Sequence, residues 1–382
     1  MLKEIIAQEI SRGGPITFAR YMELCLYHPR YGYYMAPQPR RGKGGDYYTS
    51  PTVSPLFGQM VARQLFQMER WIGGEFQVVE VGGGEGYLAE DILGYLRERE
   101  PGFYRRLIYL SVEVNPFMVA LQRDRLKGFE GKVSWPRWEE LEGIRGCILS
   151  NELLDSLPVH RVRAERGLKE IYIGLKDGEF FELLGEPSEE VEEYFRWLGL
   201  LPPEGCEAEA GLSALRWLKE AAERLSEGFI VIIDYGHRAE TLLSELYPRG
   251  TLLAYRGHRT HTDFYSEPGL DDLTAHVNFT AIIRKAEELG LRVLGLTTQG
   301  RFLQALGIFE GLEGEGKLRE RLQAKRLILP GGMGDTFKVL ILSKGTEAVE
   351  LQGLVEVRRW DYDRADPLSP SEPLGAALRA RP

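Results

Sequence analysis

Short apolar runs alternate with amphipathic helical segments through the middle and later parts of the chain. The apolar runs predict strands at residues 76–81, 107–114, 132–135, 147–150, 228–234, 291–297 and 337–343. A period of about 3.6 residues predicts helices at 55–71, 87–99, 116–127 and 279–289. Asn115 followed by Pro116 is typical of a helix start. Because strands that alternate with helices form a parallel sheet covered on both faces, the pattern predicts an α/β fold.

Other segments interrupt this alternation. Residues 1–55 are rich in Tyr, Pro and Gly, and we predict an ordered but irregular segment because its aromatic rings require burial. Residues 160–226 predict a β-meander followed by two amphipathic helices, and residues 236–276 are predicted to be mostly loop. The tail from residue 361 is Pro-rich and is predicted to be loosely attached.

The composition is that of an ordinary folded protein. Of the 382 residues, 27% are charged and 43% are apolar, which excludes wholesale disorder. The chain lacks a run of ~18 apolar residues and an amino-terminal targeting pattern, so we expect a cytoplasmic protein without a membrane span. The net charge of −9 argues against nucleic acid as a partner. The three cysteines form no CxxC pair, which argues against structural zinc and redox dithiols.

The strongest local signal is VVEVGGGEGYL at residues 78–88, where an apolar strand meets a glycine loop and then a helix. Gly82, Gly84 and Gly86 let the backbone adopt positive φ and approach a ligand closely. The spacing is GxGxG, whereas the dinucleotide fingerprint GxGxxG would require a glycine where Tyr87 stands. A nicotinamide-dependent reductase is therefore disfavoured. A tight turn that binds nothing is the plain structural alternative.

Carboxylates surround this loop. Glu80 and Glu85 would repel a pyrophosphate at the helix N-terminus, whereas S-adenosylmethionine carries an ammonium and a sulfonium and no phosphate. Glu113 ends the second strand, where an acidic residue can accept hydrogen bonds from both ribose hydroxyls. We therefore predict S-adenosylmethionine as the cofactor, with Glu80 and Glu113 among the residues that bind it. A surface position for Glu80 and a helix-start role for Glu113 are the alternatives.

The segment ILSNELLDSLPVHRV follows the fourth strand, and open α/β sheets bind ligands at the carboxyl ends of their strands. Asn151, Glu152 and Asp155 are therefore the candidate catalytic residues. A carboxylate can hold two nitrogens of a guanidinium and leave the third directed at a methyl donor. Glu152 and Asp155 would share one face if this segment is helical. Helix capping by Asn151 or Asp155, and a solvated Glu152, are the alternatives.

Two further groups of side chains are weaker candidates for ligand sites. Histidines and an aspartate occur close together in a Gly-rich segment at His258, His261 and Asp263, with His276 further on. A metal site needs three or four converging ligands, so this spacing is weak and we predict no metal. Trp135 and Trp138 follow the third strand and could stack on an adenine, although simple packing is the favoured interpretation.

Taken together, these segments resemble the MidA-type S-adenosylmethionine-dependent methyltransferases, a family that includes the mitochondrial complex I assembly methyltransferase. The resemblance extends from about residue 14 to residue 343. It is carried by HPRYGYY at 28–34, GDYYTSPTVSPLFG at 45–58, VEVGGGEG at 79–86, NELLDSLPVHR at 151–161, IIDYGH at 232–237, GLDDLTAHVNF at 269–279, FLQALGI at 302–308 and GMGDTFKVL at 332–340.

The resemblance implies a class I methyltransferase fold, Rossmann-like, with a seven-stranded, mostly parallel sheet whose last strand is antiparallel. It implies that S-adenosyl-L-methionine is bound through Gly82, Gly84, Gly86 and Glu113, with Thr49 and Ser50 as further contacts. The implied activity is N-methylation of an arginine in a protein partner. In mitochondrial members this partner is a subunit of complex I, the respiratory NADH dehydrogenase. A homodimer is one option for the assembly.

The expected organisation is one methyltransferase core with added segments. Residues 1–58 would form an amino-terminal cap over the cofactor site, and residues 59–160 and 227–345 would form the core. Residues 161–226 would be an insertion for acceptor recognition, and residues 346–382 a carboxy-terminal tail.

The chain departs from the family pattern at several positions. Gly83 and Glu85 stand where Pro and Arg are usual in the glycine loop, and Leu153 and Leu154 replace a usual pair of Phe residues. The acceptor is therefore the weakest part of the resemblance. Two other functions stay open, namely methylation of a small molecule and cofactor binding in an assembly factor without turnover.

Overall fold

A computed structural model describes residues 1–37, 49–314, 316–346 and 349–355 of the chain. Within these ranges the α-helices are α1 (Leu2–Gly13), α2 (Phe18–Tyr27), α3 (Ser50–Val53), α4 (Pro55–Ile72), α5 (Tyr87–Arg99), α6 (Pro101–Arg106), α7 (Pro116–Arg125), α8 (Glu189–Leu198), α9 (Leu212–Arg224), α10 (Ala239–Leu242), α11 (Phe279–Glu288), α12 (Gln299–Ala305), α13 (Leu318–Ile328) and α14 (Met333–Thr336). Short 3-10 helices lie at Tyr33–Met35, Leu126–Phe129, Trp138–Glu140, Leu154–Ser156 and Gln352–Leu354.

The strands of the same ranges are β1 (Ile16–Thr17), β2 (Phe76–Val81), β3 (Leu107–Val112), β4 (Val133–Ser134), β5 (Ile144–Asn151), β6 (His160–Ala164), β7 (Leu168–Lys176), β8 (Glu179–Gly185), β9 (Glu207–Ala210), β10 (Leu225–His237), β11 (Leu253–Arg256), β12 (Arg259–His261), β13 (Asp272–Thr274), β14 (Val277–Asn278), β15 (Arg292–Thr298) and β16 (Phe337–Lys344). Among the described helices, none combines the length and the apolar character that a membrane crossing needs.

The main sheet has the strand order β15-β16-β10-β5-β2-β3-β4, and the two-residue strand β14 pairs with the end of β10. The strands from β10 to β4 run parallel to one another, whereas β16 is antiparallel to both of its neighbours. The last strand in sequence is therefore the antiparallel one. This is the seven-stranded arrangement that the resemblance implies, with β14 as an addition.

Apolar side chains cover both faces of this sheet. On one face the strands pack against helices α4, α5, α12 and α13. On the other face they pack against α9 and α11. Because β2, β5 and β10 are buried from both sides, their sequences are nearly continuous apolar runs, which is why the pattern of the sequence located them.

Two smaller sheets lie outside this core. Strands β6, β7 and β8 form an antiparallel meander. Strand β9 pairs with its edge strand β6, and the two-residue strand β1 pairs with its central strand β7 at Tyr172 and Ile173. Strands β12, β11 and β13 form a three-stranded antiparallel sheet. The amino-terminal helices α1 and α2 pack against residues of both small sheets, through side chains that include Ile173 and Leu273.

The structure corrects several expectations. The predicted irregular segment at residues 1–55 is largely helical in its described parts, 1–37 and 49–55, which contain α1, α2 and α3. Helix α2 has a regular N-cap in which Thr17 accepts from Arg20. Residues 236–276 contain a three-stranded sheet. Its strands are short and partly exposed, so the hydrophobic periodicity of the sequence did not reveal them. The predicted boundaries at residues 58, 160 and 226 stay a prediction; α9, inside the predicted insertion, packs against the main sheet. The predicted tail lies outside the described residues except for 346 and 349–355.

Helices α4 and α5 approach each other closely beside the glycine loop. A Cβ atom on Gly58 would lie 2.4 Å from the Cβ of Asp91, so this contact requires glycine. Asp91 is mostly buried there. Burial and the nearby negative charge of Glu90 raise its pKa to about 7, although Arg125 opposes the shift.

This pKa predicts a pH dependence of stability. Between about pH 4 and pH 7 the folded chain keeps a proton on Asp91 that the unfolded chain loses, so the free energy of unfolding falls as the pH rises. The fall should amount to about 2 kcal/mol in the wild type once partial solvation is allowed for. The variant Asp91→Asn cannot hold this proton and should not show the fall. Urea unfolding at pH 5 and pH 8 measures it. Asp124→Asn, at an exposed position, is the control; equal slopes for the wild type and Asp91→Asn would contradict the expectation.

Candidate functional site

The glycine loop follows β2 and ends at the start of α5. Gly82, Gly84 and Gly86 have φ angles of 77°, 56° and 82°, a region that side chains with a Cβ rarely adopt. A Cβ on Gly86 would lie 3.1 Å from Cγ of Gln122, and one on Gly82 would lie 3.1 Å from Cδ1 of Leu153. The backbone conformation therefore favours glycine at all three positions, and tight packing adds to this preference at Gly82 and Gly86.

Glu113 and Gln122 hold the loop from behind. The Glu113 carboxylate accepts hydrogen bonds from the backbone N–H groups of Gly84 and Asn115, each at 2.9 Å. The fully buried Gln122 donates from Nε2 to the carbonyl of Gly84 at 2.7 Å, and its Oε1 accepts from Ser111 and Trp135. Sequence reasoning located Glu113 beside the loop but missed Gln122, because a lone Gln on a helix carries no motif.

The two tryptophans after the third strand have different surroundings. Trp135 donates to Gln122 and has the Arg123 guanidinium over its ring. Trp138 stacks against Trp217 at 6.5 Å between ring centroids and donates to Glu220. Trp138 therefore packs against α9, whereas Trp135 belongs to the network that supports the loop.

A small pocket opens beside the loop, and its lining fits a cation. It includes Thr49, Glu80, Gly82 and Asn151. Glu80 is buried and accepts from the hydroxyl of Tyr109 at 2.9 Å. The Oδ1 atom of Asn151 is buried and has no hydrogen-bond partner among the residues that the structure describes. A buried carboxylate and an unpaired amide oxygen on one pocket match an ammonium such as that of S-adenosylmethionine, and the alternative of a surface position for Glu80 is wrong.

The predicted contacts from the amino-terminal segment lie at this pocket. Thr49 lines it, and Ser50 begins α3 at its edge. The backbone N–H of Ser50 donates to Oε1 of Glu152 at 3.2 Å, and its hydroxyl donates to Gln299 at 2.9 Å. Both residues are buried. The start of α3 therefore connects the glycine-loop pocket with the predicted acceptor segment.

The backbone at Glu152 is strained. Its φ angle is 53°, in the left-handed region, and its N–H donates to the carbonyl of Ile233 at 2.9 Å. For a residue with a Cβ this conformation costs roughly 1 kcal/mol or more, and such outliers cluster at functional sites. The Glu152 carboxylate accepts from Ser50 and from the side-chain amide of Asn151. Glu152 therefore does not share a helical face with Asp155, contrary to expectation, because the 3-10 turn begins only at Leu154.

Asp234 holds the acceptor segment in place. It is fully buried at the end of β10, and its Oδ2 accepts from the backbone N–H groups of Leu153, Leu154 and Asp155. Burial, together with the negative charges of Asp155 and Glu152, raises the pKa of Asp234, and the backbone donors oppose that shift. Neither Asn151 nor Asp155 caps the 3-10 turn.

The acceptor segment forms one side of a second, larger cavity of about 190 Å³. Its lining combines carboxylates with aromatic rings and a histidine, namely Tyr34, Glu152, Asp155, Tyr235, Tyr255, Asp272, Thr274, His276, Met333, Thr336 and Phe337. The Tyr235 hydroxyl donates to Asp155 at 2.5 Å. Tyr255 shares this cavity with Asp155, Asp272 and Glu152, and burial together with their negative charges raises its pKa.

Sequence reasoning missed the part of the cavity lining that lies outside the acceptor segment. It identified Glu152 and Asp155 but assigned no role to Tyr34, Tyr255 or Asp272. Strand β14 pairs with the end of β10 and brings the segment around His276 beside Tyr235. Tyr34, Tyr235 and Asp272 all lie in sequence segments that carry the family resemblance, and that coincidence was the available signal.

The three histidines named as candidate metal ligands have different surroundings. His261 lies 3.4 Å from Asp271, whereas His258 occupies a turn with positive φ. His276 lies at the cavity beside His237, and burial and the nearby His237 and Lys338 lower its pKa to about 4. In the part of the chain that the structure describes, we find no cluster of three residues that could hold a metal ion.

The loop geometry predicts contrasting effects of two glycine substitutions on one helix. Gly86→Ala should lower the free energy of unfolding by roughly 1–2 kcal/mol and weaken S-adenosylhomocysteine binding, because of positive φ and the contact with Gln122. Gly94→Ala lies in α5 with open space around it and should raise stability by roughly 0.5–1 kcal/mol with unchanged binding. Thermal unfolding and calorimetry test both; tight binding by Gly86→Ala would contradict the role of the loop.

Comparison with known proteins supports these observations. Residues 60–297 match the family described as "Putative S-adenosyl-L-methionine-dependent methyltransferase". The protein arginine methyltransferase NDUFAF7 homolog, mitochondrial, of Drosophila melanogaster is 30% identical over 92% of this chain and 86% of its own length. The mitochondrial protein arginine methyltransferase NDUFAF7 of Mus musculus is 28% identical, over 90% of this chain and 84% of its own.

A solved structure shows the same architecture with a cofactor product. It is the crystal structure of a COG1565 superfamily member from Burkholderia thailandensis bound to S-adenosyl-homocysteine. The TM-score is 0.85 at 33% identity, and the match covers 92% of this chain and 94% of that one. The chain described here has the class I methyltransferase fold, uses S-adenosyl-L-methionine, and belongs to this family of S-adenosyl-L-methionine-dependent methyltransferases.

Proposed function

We propose that this methyltransferase N-methylates an arginine side chain of a protein substrate. The observation that carries the proposal is the acidic, aromatic cavity beside the glycine loop, with Glu152, Asp155 and Asp272 in its lining. A guanidinium is a planar cation that stacks on aromatic rings and donates hydrogen bonds to carboxylates. The curated relatives reported above are named protein arginine methyltransferases, which supports the same acceptor.

In this proposal the two pockets have separate tasks. The glycine-loop pocket, with Glu80, Gly82, Gly84, Gly86, Glu113 and the segment Thr49–Ser50, holds S-adenosyl-L-methionine. When bound, this cofactor supplies a methyl group on a positively charged sulfur. The larger cavity holds the acceptor cation. Glu152 stands between them, because it lines the cavity and accepts from Ser50 and Asn151 at the other pocket.

The chemistry requires orientation and the loss of one proton. As one guanidinium nitrogen forms its bond to the methyl carbon, the carbon–sulfur bond breaks and one N–H proton has to leave. We assign Glu152 to hold the guanidinium nitrogens and to accept that proton, since a dicationic product is acidic enough for a carboxylate to take it. Asn151 fixes the Glu152 carboxylate, and Asp155, held by Tyr235, adds negative charge to the cavity.

The partner and the setting belong to the same proposal. A subunit of a respiratory NADH dehydrogenase is the substrate that the family resemblance favours. A cytoplasmic location and a homodimeric assembly are proposed with it. Methylation of a small molecule and a cofactor-binding factor without turnover predict different outcomes for the experiment that follows.

Glu152→Gln tests the catalytic assignment. The amide retains the size of the side chain but loses its charge and its ability to accept a proton, so kcat for methylation of an arginine peptide should fall ~100- to 1,000-fold. S-adenosylhomocysteine affinity should stay within about twofold, because the glycine loop is untouched. Radiolabelled methyl transfer and calorimetry measure the two quantities.

The control is Glu139→Gln, at an exposed position away from both pockets. It should leave both quantities unchanged. A Glu152→Gln enzyme that methylates at the wild-type rate would contradict the assigned role. A wild type that binds the cofactor but never methylates arginine would contradict the proposed acceptor. Slow release of S-adenosylhomocysteine in the presence of cell metabolites would then favour small-molecule methylation, and no release at all would favour the factor without turnover.

A further inference from the structure

The wall of the cavity formed by Asp272 has its own supporting contacts. Asp272 begins β13 and is buried, and its Oδ1 accepts from the hydroxyl of Tyr34 at 2.6 Å. Both side chains line the cavity together with Glu152. A hydroxyl that donates to one oxygen fixes the orientation of a carboxylate and favours its charged form.

The segment that carries Tyr34 is anchored at the cofactor side. The Nδ2 group of Asn115 donates to the carbonyls of Tyr34 and Ala36 at 2.7 and 2.9 Å. Asn115 is buried, and its own N–H donates to Glu113, whose carboxylate also binds the glycine loop. The backbone position of Tyr34 is therefore set by the same group of residues that shapes the cofactor loop.

A second tyrosine, Tyr27, packs against Tyr34. The Tyr27 ring stacks on Tyr34, with 5.5 Å between ring centroids, and its hydroxyl donates to the carbonyl of Ser156 at 3.2 Å. Burial raises the pKa of Tyr27, and the charges of Asp155, Asp272 and Glu113 raise it further. Tyr27 thus connects the Tyr34 ring with the backbone of the acceptor segment at Ser156.

We propose that Asp272 is a specificity-determining residue that binds the acceptor cation in the same cavity as Glu152, and that Tyr34 positions it. The inference rests on the proposed function. A guanidinium has five N–H donors in one plane, so two carboxylates can bind it at once. A neutral acceptor lacks the charge that makes these hydrogen bonds strong. The sequence-based assignment of Glu152 and Asp155 accounts for only two of the three carboxylates in the cavity lining.

The experiment compares two peptides that differ only in charge. Acetyl-Gly-Arg-Gly-amide and the same peptide with citrulline, a neutral isostere of arginine, are titrated into the full chain with saturating S-adenosylhomocysteine. The wild type should prefer the arginine peptide. Asp272→Asn should bind that peptide ~10- to 100-fold more weakly, because one charged hydrogen-bonding partner is gone. Its ratio of arginine-peptide to citrulline-peptide affinity should be at least about tenfold lower than that of the wild type.

Asp271→Asn is the matched control. Asp271 precedes Asp272 and is also buried, but it pairs with Arg256 and is not part of the cavity lining. This variant should keep the wild-type preference for arginine. An S-adenosylhomocysteine affinity within about twofold of the wild type reports that each variant is folded.

Tyr34→Phe tests the positioning role and serves if Asp272→Asn does not fold. Loss of the hydroxyl should weaken arginine-peptide binding ~3- to 10-fold and leave the citrulline peptide unaffected. If Tyr34 acts through Asp272, the double variant should bind no more weakly than Asp272→Asn alone. Fully additive losses would overturn the positioning role.

The outcomes separate this inference from the function on which it rests. If the wild type prefers arginine and Asp272→Asn keeps that preference, the inference is overturned and arginine methylation still stands. If Asp272→Asn does not fold, an unchanged preference in Tyr34→Phe has the same meaning. A wild type that binds neither peptide, or both equally, overturns the proposed function and the inference with it.

Discussion

The site depends on the buried carboxylate of Asp234. Its Oδ2 gathers the backbone N–H groups of three successive residues, Leu153 to Asp155, and its Oδ1 accepts from the N–H of Tyr235. These bonds fix the turn that leaves β5 and tie it to the end of β10. A buried carboxylate is costly unless its oxygens are satisfied, and here backbone donors satisfy them. The strained conformation of Glu152 persists because this turn holds the residue after it.

From that turn, charge accounts for the rest of the site. Asp155 receives the Tyr235 hydroxyl, Asp272 receives the Tyr34 hydroxyl, and Glu80 receives the Tyr109 hydroxyl. In each case a tyrosine donates to a carboxylate that faces one of the two pockets. Such pairing keeps acidic side chains stable within a folded interior and leaves the pockets suited to cations. The chain carries a net charge of −9, and acidic side chains also line the two pockets where the sulfonium and the proposed guanidinium would bind.

The sequence predicted the parts of this site that depend on neighbours along the chain. The glycine loop, the N-cap at Asn115 and the carboxyl end of β5 were located correctly, because strand, turn and helix signals are local. Tyr34, Tyr255 and Asp272 were not assigned, since they reach the cavity only through long-range pairing such as that of β11 with β13. Gln122 was missed because a lone Gln on a helix carries no motif. Helices α1 and α2 were missed because the aromatic and Gly/Pro-rich stretch after them dominated the interpretation of the whole amino-terminal segment.

The central claim is that this methyltransferase acts on arginine in a protein. The most direct measurement supplies the purified enzyme with S-adenosylmethionine carrying a deuterated methyl group and an extract of cells that lack it, followed by mass spectrometry of the proteins. The account predicts deuterated methyl groups on arginine nitrogen of one or a few proteins, and none with Glu152→Gln. Label found only on lysine, on carboxyl groups or on small molecules would contradict it.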